Sequence, residues 1–286
     1  MESICILTDS SAQFPQPTFA GQGLVRVVPM DIEFKGKLYK EGKDLRANQY
    51  PQAAGEEDYP RLLAPSEEHF HQLFLSLSKN YRSIIAIFLS SSLSPLYANA
   101  QAAATALTGS APVQLIDSQS FSVGLGVLVK TAAETAAQGC SASEIERRVR
   151  SLVPHIYTIL CAPGLNYLAQ SGYLDHAQAL VGEMLGLLSL FTLEEGKLSP
   201  LEKVRNQRSV LDSFQEFLGE FDHLQNIGLI QPAVPGSQEL RCLRDHAYEI
   251  FPNTQFSEHT INLTGATLLG PRSAGLIAVE ALNHKL

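Results

Sequence analysis

The stretch from Ile84 to Asn99, IIAIFLSSSLSPLYAN, constrains this chain more than any other. Five consecutive apolar residues, Ile84 to Phe88, suit a strand covered on both faces, as in a parallel sheet, because a half-exposed strand would alternate. Ser90, Ser91 and Ser92 then leave the strand's carboxyl end, and Ser94-Pro95 reads as the cap and first position of a helix. A serine oxygen accepts an amide that the first helical turn leaves unpaired, and proline gives up no donor that the helix needs. Hydroxyls beside a helix N-terminus make a neutral nest of partial positive charge, suited to a carboxylate or phosphate oxygen. In open α/β sheets the crevice at strand carboxyl ends is where ligands bind. The first strand, Ile4 to Leu7, runs into Thr8-Asp9-Ser10-Ser11, and a later one, Val113 to Ile116, into Asp117-Ser118. As parallel neighbours these strands bring Ser10, Ser90, Ser91, Ser92 and Ser118 to one edge, although serines after a strand also serve as plain turn and cap residues.

A chain of 286 residues, 45% of them hydrophobic, has material for two cores. Its net charge is −8, and the run Arg147-Arg148-Val149-Arg150 lies within one helical pattern, so no basic surface for nucleic acid is expected. The four cysteines lack CxxC spacing and read as buried thiols of a reducing compartment. A strand pattern begins within three residues of Met1, which leaves no room for a leader. The longest apolar window, Ala179 to Leu193, contains Glu183 and is too short to cross a bilayer, so a cytoplasmic protein without membrane insertion is expected.

Along the chain, strands at 4–7, 25–29, 84–88 and 113–116 alternate with helices opening at Ser66, Pro95 and Ser122. Ser141-Ala142-Ser143-Glu144 is a capping box for one more helix, with Ile145, Val149 and Leu152 inward. This alternation predicts a doubly wound parallel-sheet α/β domain over 1–154. Residues 31–60 interrupt it as an inserted arm with a hairpin turn at Lys35-Gly36-Lys37. The second half predicts strands at 156–161, 189–193, from 198, 227–230 and 255–261, and helices at 163–170, 175–188, 206–224 and 237–251. Residues 155–286 thus read as a smaller α+β domain with a mixed sheet.

Among chemical motifs, the eight histidines have no metal-ligand spacing, and His69 and His71 point in different directions on a helix. Gly124 and Gly126 lack the third glycine of a dinucleotide loop. FLSSSLS sits where a nucleophile elbow would be, without its flanking glycines, and keeps a serine-dependent hydrolase acting on an acyl substrate as an alternative. Arg205 and Arg208 at a helix entry, and Arg272 in the loop Leu269 to Gly275, are candidate anion contacts.

TDSSA at 8–12, VVPMDIEF at 27–34, YKEGKD at 39–44, LSSSLSPLYANA at 89–100, IDSQSFSVGLG at 116–126 and EEGKLSPLEKVRNQR at 194–208 together resemble the bacterial DegV family, colinearly over nearly the whole chain. The resemblance implies an α/β domain joined to a smaller α+β domain, with a long-chain fatty acid held between them as ligand and no cofactor or metal. It also implies that such proteins carry the acyl chain and, with fatty acid kinase, present its carboxylate without catalysing the reaction themselves. The family's serine pair falls on Ser90 and Ser91, with Ser91 as the carboxylate contact. Its head-group threonine is Leu62 here, the glycine of its central motif is Pro95, and the arginine of its glycine-glycine-arginine-isoleucine motif is Tyr173. Its histidine has no counterpart between Leu268 and Gly275. Losing the threonine removes one hydrogen bond, worth about 0.5–1.5 kcal/mol, against roughly 0.8 kcal/mol for every buried CH₂ of the tail. Losing the arginine and histidine counts against presentation to a kinase partner. The expectation is therefore a lipid-binding protein or carrier contacting its ligand through Ser91, Ser90, Ser92, Leu62, Ser10, Ser118 and Arg272.

Overall fold

A computed structural model describes residues 3–41, 45–52, 58–107, 110–234 and 239–281. In chain order the elements are β1 (Ile4–Asp9), β2 (Val25–Val28), β3 (Asp31–Phe34), β4 (Lys37–Lys40), β5 (Arg61–Leu63), α1 (Glu67–Ser78), β6 (Ser83–Phe88), α2 (Leu96–Ala106), β7 (Val113–Asp117), α3 (Ser122–Ala137) and α4 (Ala142–Leu152). There follow β8 (Ile156–Ala162), α5 (Asn166–Gln170), α6 (His176–Met184), β9 (Leu188–Glu194), β10 (Lys197–Val204), α7 (Gln207–Gly219), β11 (Leu224–Gln231), α8 (Glu239–Ile250), β12 (Gln255–Thr260), α9 (Leu263–Leu269) and β13 (Ala274–Glu280).

The chain divides into two compact units. The first holds Met1–Asp31, Leu63–Pro154 and the turn Glu195–Lys197; the second holds Ile32–Leu62, His155–Glu194 and Leu198–Leu286. In the first unit a parallel sheet runs β2-β1-β6-β7. All six residues of β1 and of β6 are buried, as a sheet covered on both faces requires. Helix α1 packs on α2 and α3 on α4, and each pair reaches the sheet. From β1 the chain steps outward to β2, and from β6 outward the other way to β7, so the direction of winding reverses between β1 and β6. In open α/β sheets such a reversal marks where ligands bind, outside the carboxyl ends of the strands. The residues following β1 and β6 are therefore the candidate site.

Local chemistry accounts for the boundaries. Ser66 caps α1 through the amide of His69, and Ser141 with Glu144 forms the expected reciprocal box on α4. The first turn of α2 starts one residue later than the sequence predicts: Pro95 is the cap, while the Ser94 hydroxyl accepts the Leu96 amide. Within α3, a Cβ added to Gly126 would stand 2.0 Å from the Gln13 carbonyl oxygen. The glycine weighed against a dinucleotide loop instead lets a helix press against the backbone after β1.

The second unit is built on a mixed sheet ordered β10-β9-β8-β13-β11-β12, parallel between β11 and β12 and antiparallel at β8–β9, β8–β13 and β11–β13. One face carries Ile159, Cys161, Leu190, Ile227, Leu229 and Leu276 into a core closed by Phe214 and Leu218 of α7 and Leu243 and Ala247 of α8. Residues 32–62, which the sequence counts with the first domain, group with this second unit. Glu41 explains the allegiance: its carboxylate accepts the Thr264 amide at 2.8 Å and hydroxyl at 2.7 Å, capping α9. Tyr50 shares a hydrogen bond with Thr267, and the Tyr167 hydroxyl donates to the Pro51 carbonyl. The arm's hairpin forms as expected, with Lys35 and Gly36 both at positive φ between β3 and β4. Its continuation at 42–44 and 53–57, and the start of the helix expected at 237, lie outside the described residues.

Three expectations shift. The helix expected to Leu188 stops at Met184, because Gly186 turns the chain at φ +61° into β9. The helix expected to Leu224 stops at Gly219, and Leu224 already belongs to β11. Helix α9 is new, capped by Asn262 through the Gly265 amide. The reading of all cysteines as buried also needs correction: Cys5 and Cys161 are buried, Cys140 is half-buried and Cys242 is exposed on α8. Burial pushes the Cys5 thiol up to about 11, despite Arg26, and the Cys161 thiol up to about 12. No helix among the described residues is long and apolar enough to cross a membrane.

Candidate functional site at the carboxyl ends of the parallel strands

Asp9 is fully buried where β1 ends. One carboxylate oxygen accepts the Ser11 amide at 2.9 Å and the Ser11 hydroxyl; the other accepts the Leu89 amide at 2.8 Å. A carboxylate between β1 and β6 thus pins the chain leaving β6 at the point of reversal. Burial pushes the Asp9 carboxyl above the usual range, and the three donors pull it back. The first half of the TDSS pattern is therefore scaffold, holding the turn that follows β6.

The serines of that turn divide by what their hydroxyls do. Ser90 is fully buried, and its hydroxyl donates to the Gly196 carbonyl at 2.7 Å and accepts the Ser92 amide at 3.2 Å. Its amide bonds the Ser120 carbonyl. Gly196 sits at φ +79°, and a Cβ there would stand 2.4 Å from the Ser90 hydroxyl oxygen. Only glycine lets the turn 195–197 reach the serine so closely. Ser118 is likewise buried and occupied, donating to the Ser120 carbonyl at 3.0 Å. Ser10 is tied to β2: its amide donates to Val28 and its hydroxyl accepts the Met30 amide.

Ser91 differs from these neighbours. It is exposed, its amide donates to the Asp117 carboxylate at 3.2 Å, and its hydroxyl has no hydrogen-bond partner among the described residues. Asp117 also accepts the Gln119 amide at 2.9 Å, so the loop after β7 steadies the backbone of Ser91. Ser92 is half-buried beside it, and α2 begins four residues on, at Leu96. The arrangement is one exposed hydroxyl on a fixed backbone near a helix N-terminus, a donor available to an acceptor oxygen. No histidine or carboxylate among the described residues hydrogen-bonds the Ser91 hydroxyl.

The remaining predicted contacts belong to the second unit. Leu62 is half-buried within β5. Arg272 is exposed, donates to the Gln52 carbonyl at 3.4 Å and edges a small cavity of about 100 Å³ with Glu183 and Asn166. Tyr173 is half-buried, and burial raises its phenol to about 12. Leu268 is buried, and Arg205 and Arg208 are exposed. Sequence reasoning placed Asp9 at this edge without a role and did not tie the turn at Gly196 to Ser90. The first carried a signal, an acid at a strand end; the second is 106 residues from Ser90 and carried none.

Residues 3–281 match the family model described as "Uncharacterised protein, DegV family". A DegV domain-containing protein of Caldanaerobacter subterraneus is 32% identical over 229 residues, which cover 80% of this chain and 79% of that protein. Among solved structures, the fatty acid binding DegV family protein of Streptococcus agalactiae superposes with a TM-score of 0.86 at 22% identity, over 99% of this chain and 100% of that one. The Fatty Acid Kinase (Fak) B3 protein of Streptococcus pneumoniae, loaded with linoleic acid, superposes with a TM-score of 0.81 at 17% identity, over 97% and 99% of the two chains.

Proposed function

The chain belongs to the DegV family, and from that premise we propose that it binds a long-chain fatty acid whose carboxylate rests on the turn after β6. The observation that carries this reading is the free hydroxyl of Ser91, set outward while Ser90 and Ser118 spend theirs inside the fold. Ser91 and Ser92 are the head-group contacts; Ser10, Ser90, Ser118 and Asp9 are the frame that aims them. Leu62 and Arg272 are proposed ligand contacts of the second unit. Solved relatives described as fatty acid binding or loaded with linoleic acid lend the substrate class. The acyl tail supplies most of the affinity, roughly 0.8 kcal/mol for each buried CH₂, and the hydroxyl selects the head.

In this reading the protein acts as a carrier. A hydrolase would need a base on Ser91, and none is hydrogen-bonded to it among the described residues. Presentation to a kinase is not proposed, because the family's arginine is Tyr173 and its histidine has no counterpart in Leu268 to Gly275.

Native mass spectrometry of the purified protein, followed by a denaturing run, tests this. A stoichiometric acyl chain is expected, and Ser91→Ala should weaken uptake of added palmitate about 10- to 100-fold, the value of one hydrogen bond to a charged group. The variant should fold normally, since the hydroxyl holds nothing. A protein that arrives empty and takes up neither palmitate nor oleate overturns the reading.

A further inference from the structure

The second unit carries a groove of about 460 Å³ between α7 and the strands β8, β9 and β10. Its apolar part includes Tyr157, Leu201 and Phe217. Leu201 is 53% exposed and Tyr157 37% exposed, so both offer bare apolar surface to the groove. The aromatic floor is rigid, since the Phe221 ring lies 5.0 Å from Tyr157 and 5.2 Å from Phe217.

Glu194, Glu202, Glu216 and Glu220 rim the same groove, and no lysine or arginine lines it. None of these four carboxylates joins an ion pair among the described residues. Two are oriented without being neutralised: Glu202 accepts the Ser213 hydroxyl, and Glu194 accepts the Thr192 hydroxyl at 3.2 Å. A concave apolar floor ringed by unbalanced like charge favours an occupant of opposite charge with an apolar face.

Strand β10 is an edge of its sheet, which raises strand addition as one mode of docking. Pro200 argues against it, because it has no amide to offer in the middle of β10. The groove's other wall is a helix, and a helix laid beside it meets both the floor and the rim. We propose that this groove docks a basic amphipathic helix of a protein partner. The helix seats its apolar side chains on Phe217, Tyr157 and Leu201, and its lysines or arginines meet the four carboxylates. This partner site is independent of the fatty-acid reading.

The test uses the full chain and a fluorescein-labelled helical peptide of leucine and lysine heptads, followed by anisotropy and hydrogen exchange. Expected is binding that weakens with salt, protects α7 and β8 to β10, and falls at least about tenfold in the triple variant E202Q/E216Q/E220Q. The exposed Leu201→Ser substitution should also weaken binding, whereas E67Q/E68Q on α1 should not. Absence of binding, equal binding by all variants, or indifference to Leu201→Ser would overturn the proposal. So would spermine binding as tightly as the peptide, since the groove would then read charge alone.

Discussion

The end of the parallel sheet and the broad face of the mixed sheet both bury polar side chains, and they treat them in opposite ways. After β1, β6 and β7, the side chains of Asp9, Ser11, Ser90, Ser118 and Ser120 are buried and each hydrogen-bonds a nearby group. On the mixed sheet, Thr158, Ser189, Asn226, Ser257 and His259 each bury a side-chain atom without a partner. Register puts these five on one face: Asn226 and Ser257 align with Gln255 and Gly228, His259 with Ile230, Thr158 with Ile277, and Ser189 with Ala162. It is the face opposite the core of α7 and α8. The difference lies in position along the strand. Where strands end, backbone amides and carbonyls come free and side chains can take them; inside a strand the ladder consumes both. Thr8 supports this, because it lies within β1 and its hydroxyl is buried and unpartnered in a region where its neighbours are satisfied.

The comparison breaks most visibly at Asp9. Asp9→Ala leaves the Ser11 amide and hydroxyl and the Leu89 amide without their acceptor, and should cost about 3 kcal/mol or more in urea unfolding. A loss under about 1 kcal/mol would mean that the strand-end network is ornamental.

Ser90→Ala against Thr158→Val sharpens the contrast with one hydroxyl on each side. The serine variant loses its bond to Gly196 and strands the Ser92 amide, so about 1–2 kcal/mol should disappear from the same measurement. The threonine variant exchanges an unpaired hydroxyl for a methyl of similar shape and should lie within about 0.5 kcal/mol of the parent, or above it. Equal losses would erase the distinction between the two regions.

The smallest effect is in pH. Burial lowers the pKa of His259 below its ordinary value of 6.5. The unfolded chain then binds the proton more readily than the folded one, so this residue withdraws stability as pH falls below about 6.5 and restores it as pH rises. Tm measured at pH 7 and at pH 5.5 should therefore differ less in His259→Asn than in the parent chain. An unchanged or larger difference would place the acid sensitivity elsewhere.

Much of this molecule is written locally. Five apolar residues at 84–88 determine a strand covered on both sides, Ser141 with Glu144 determines the start of α4, and Lys35-Gly36 determines a tight hairpin, since each outcome depends on groups a few residues apart. The turn after β6 could be singled out from sequence as a candidate place for a ligand head, because a strand running into hydroxyls and a helix start is itself a local pattern. Helix α9 escaped because LTGATLL carries a glycine and its cap is helped by Glu41, far away in the chain. The same holds for the arm, whose partners Thr264 and Thr267 lie more than 200 residues onward. Which serine would remain free could not be read from the residues themselves; only the family resemblance singled out Ser91. Ser90 and Ser91 are equal as residues, and only the arrival of Gly196 at one and Asp117 beneath the other decides that Ser90 builds the turn and Ser91 faces outward. Composition and spacing select the kinds of groups that meet at a strand end; which of them keep an unused hydroxyl depends on distant backbone that sequence proximity does not reveal.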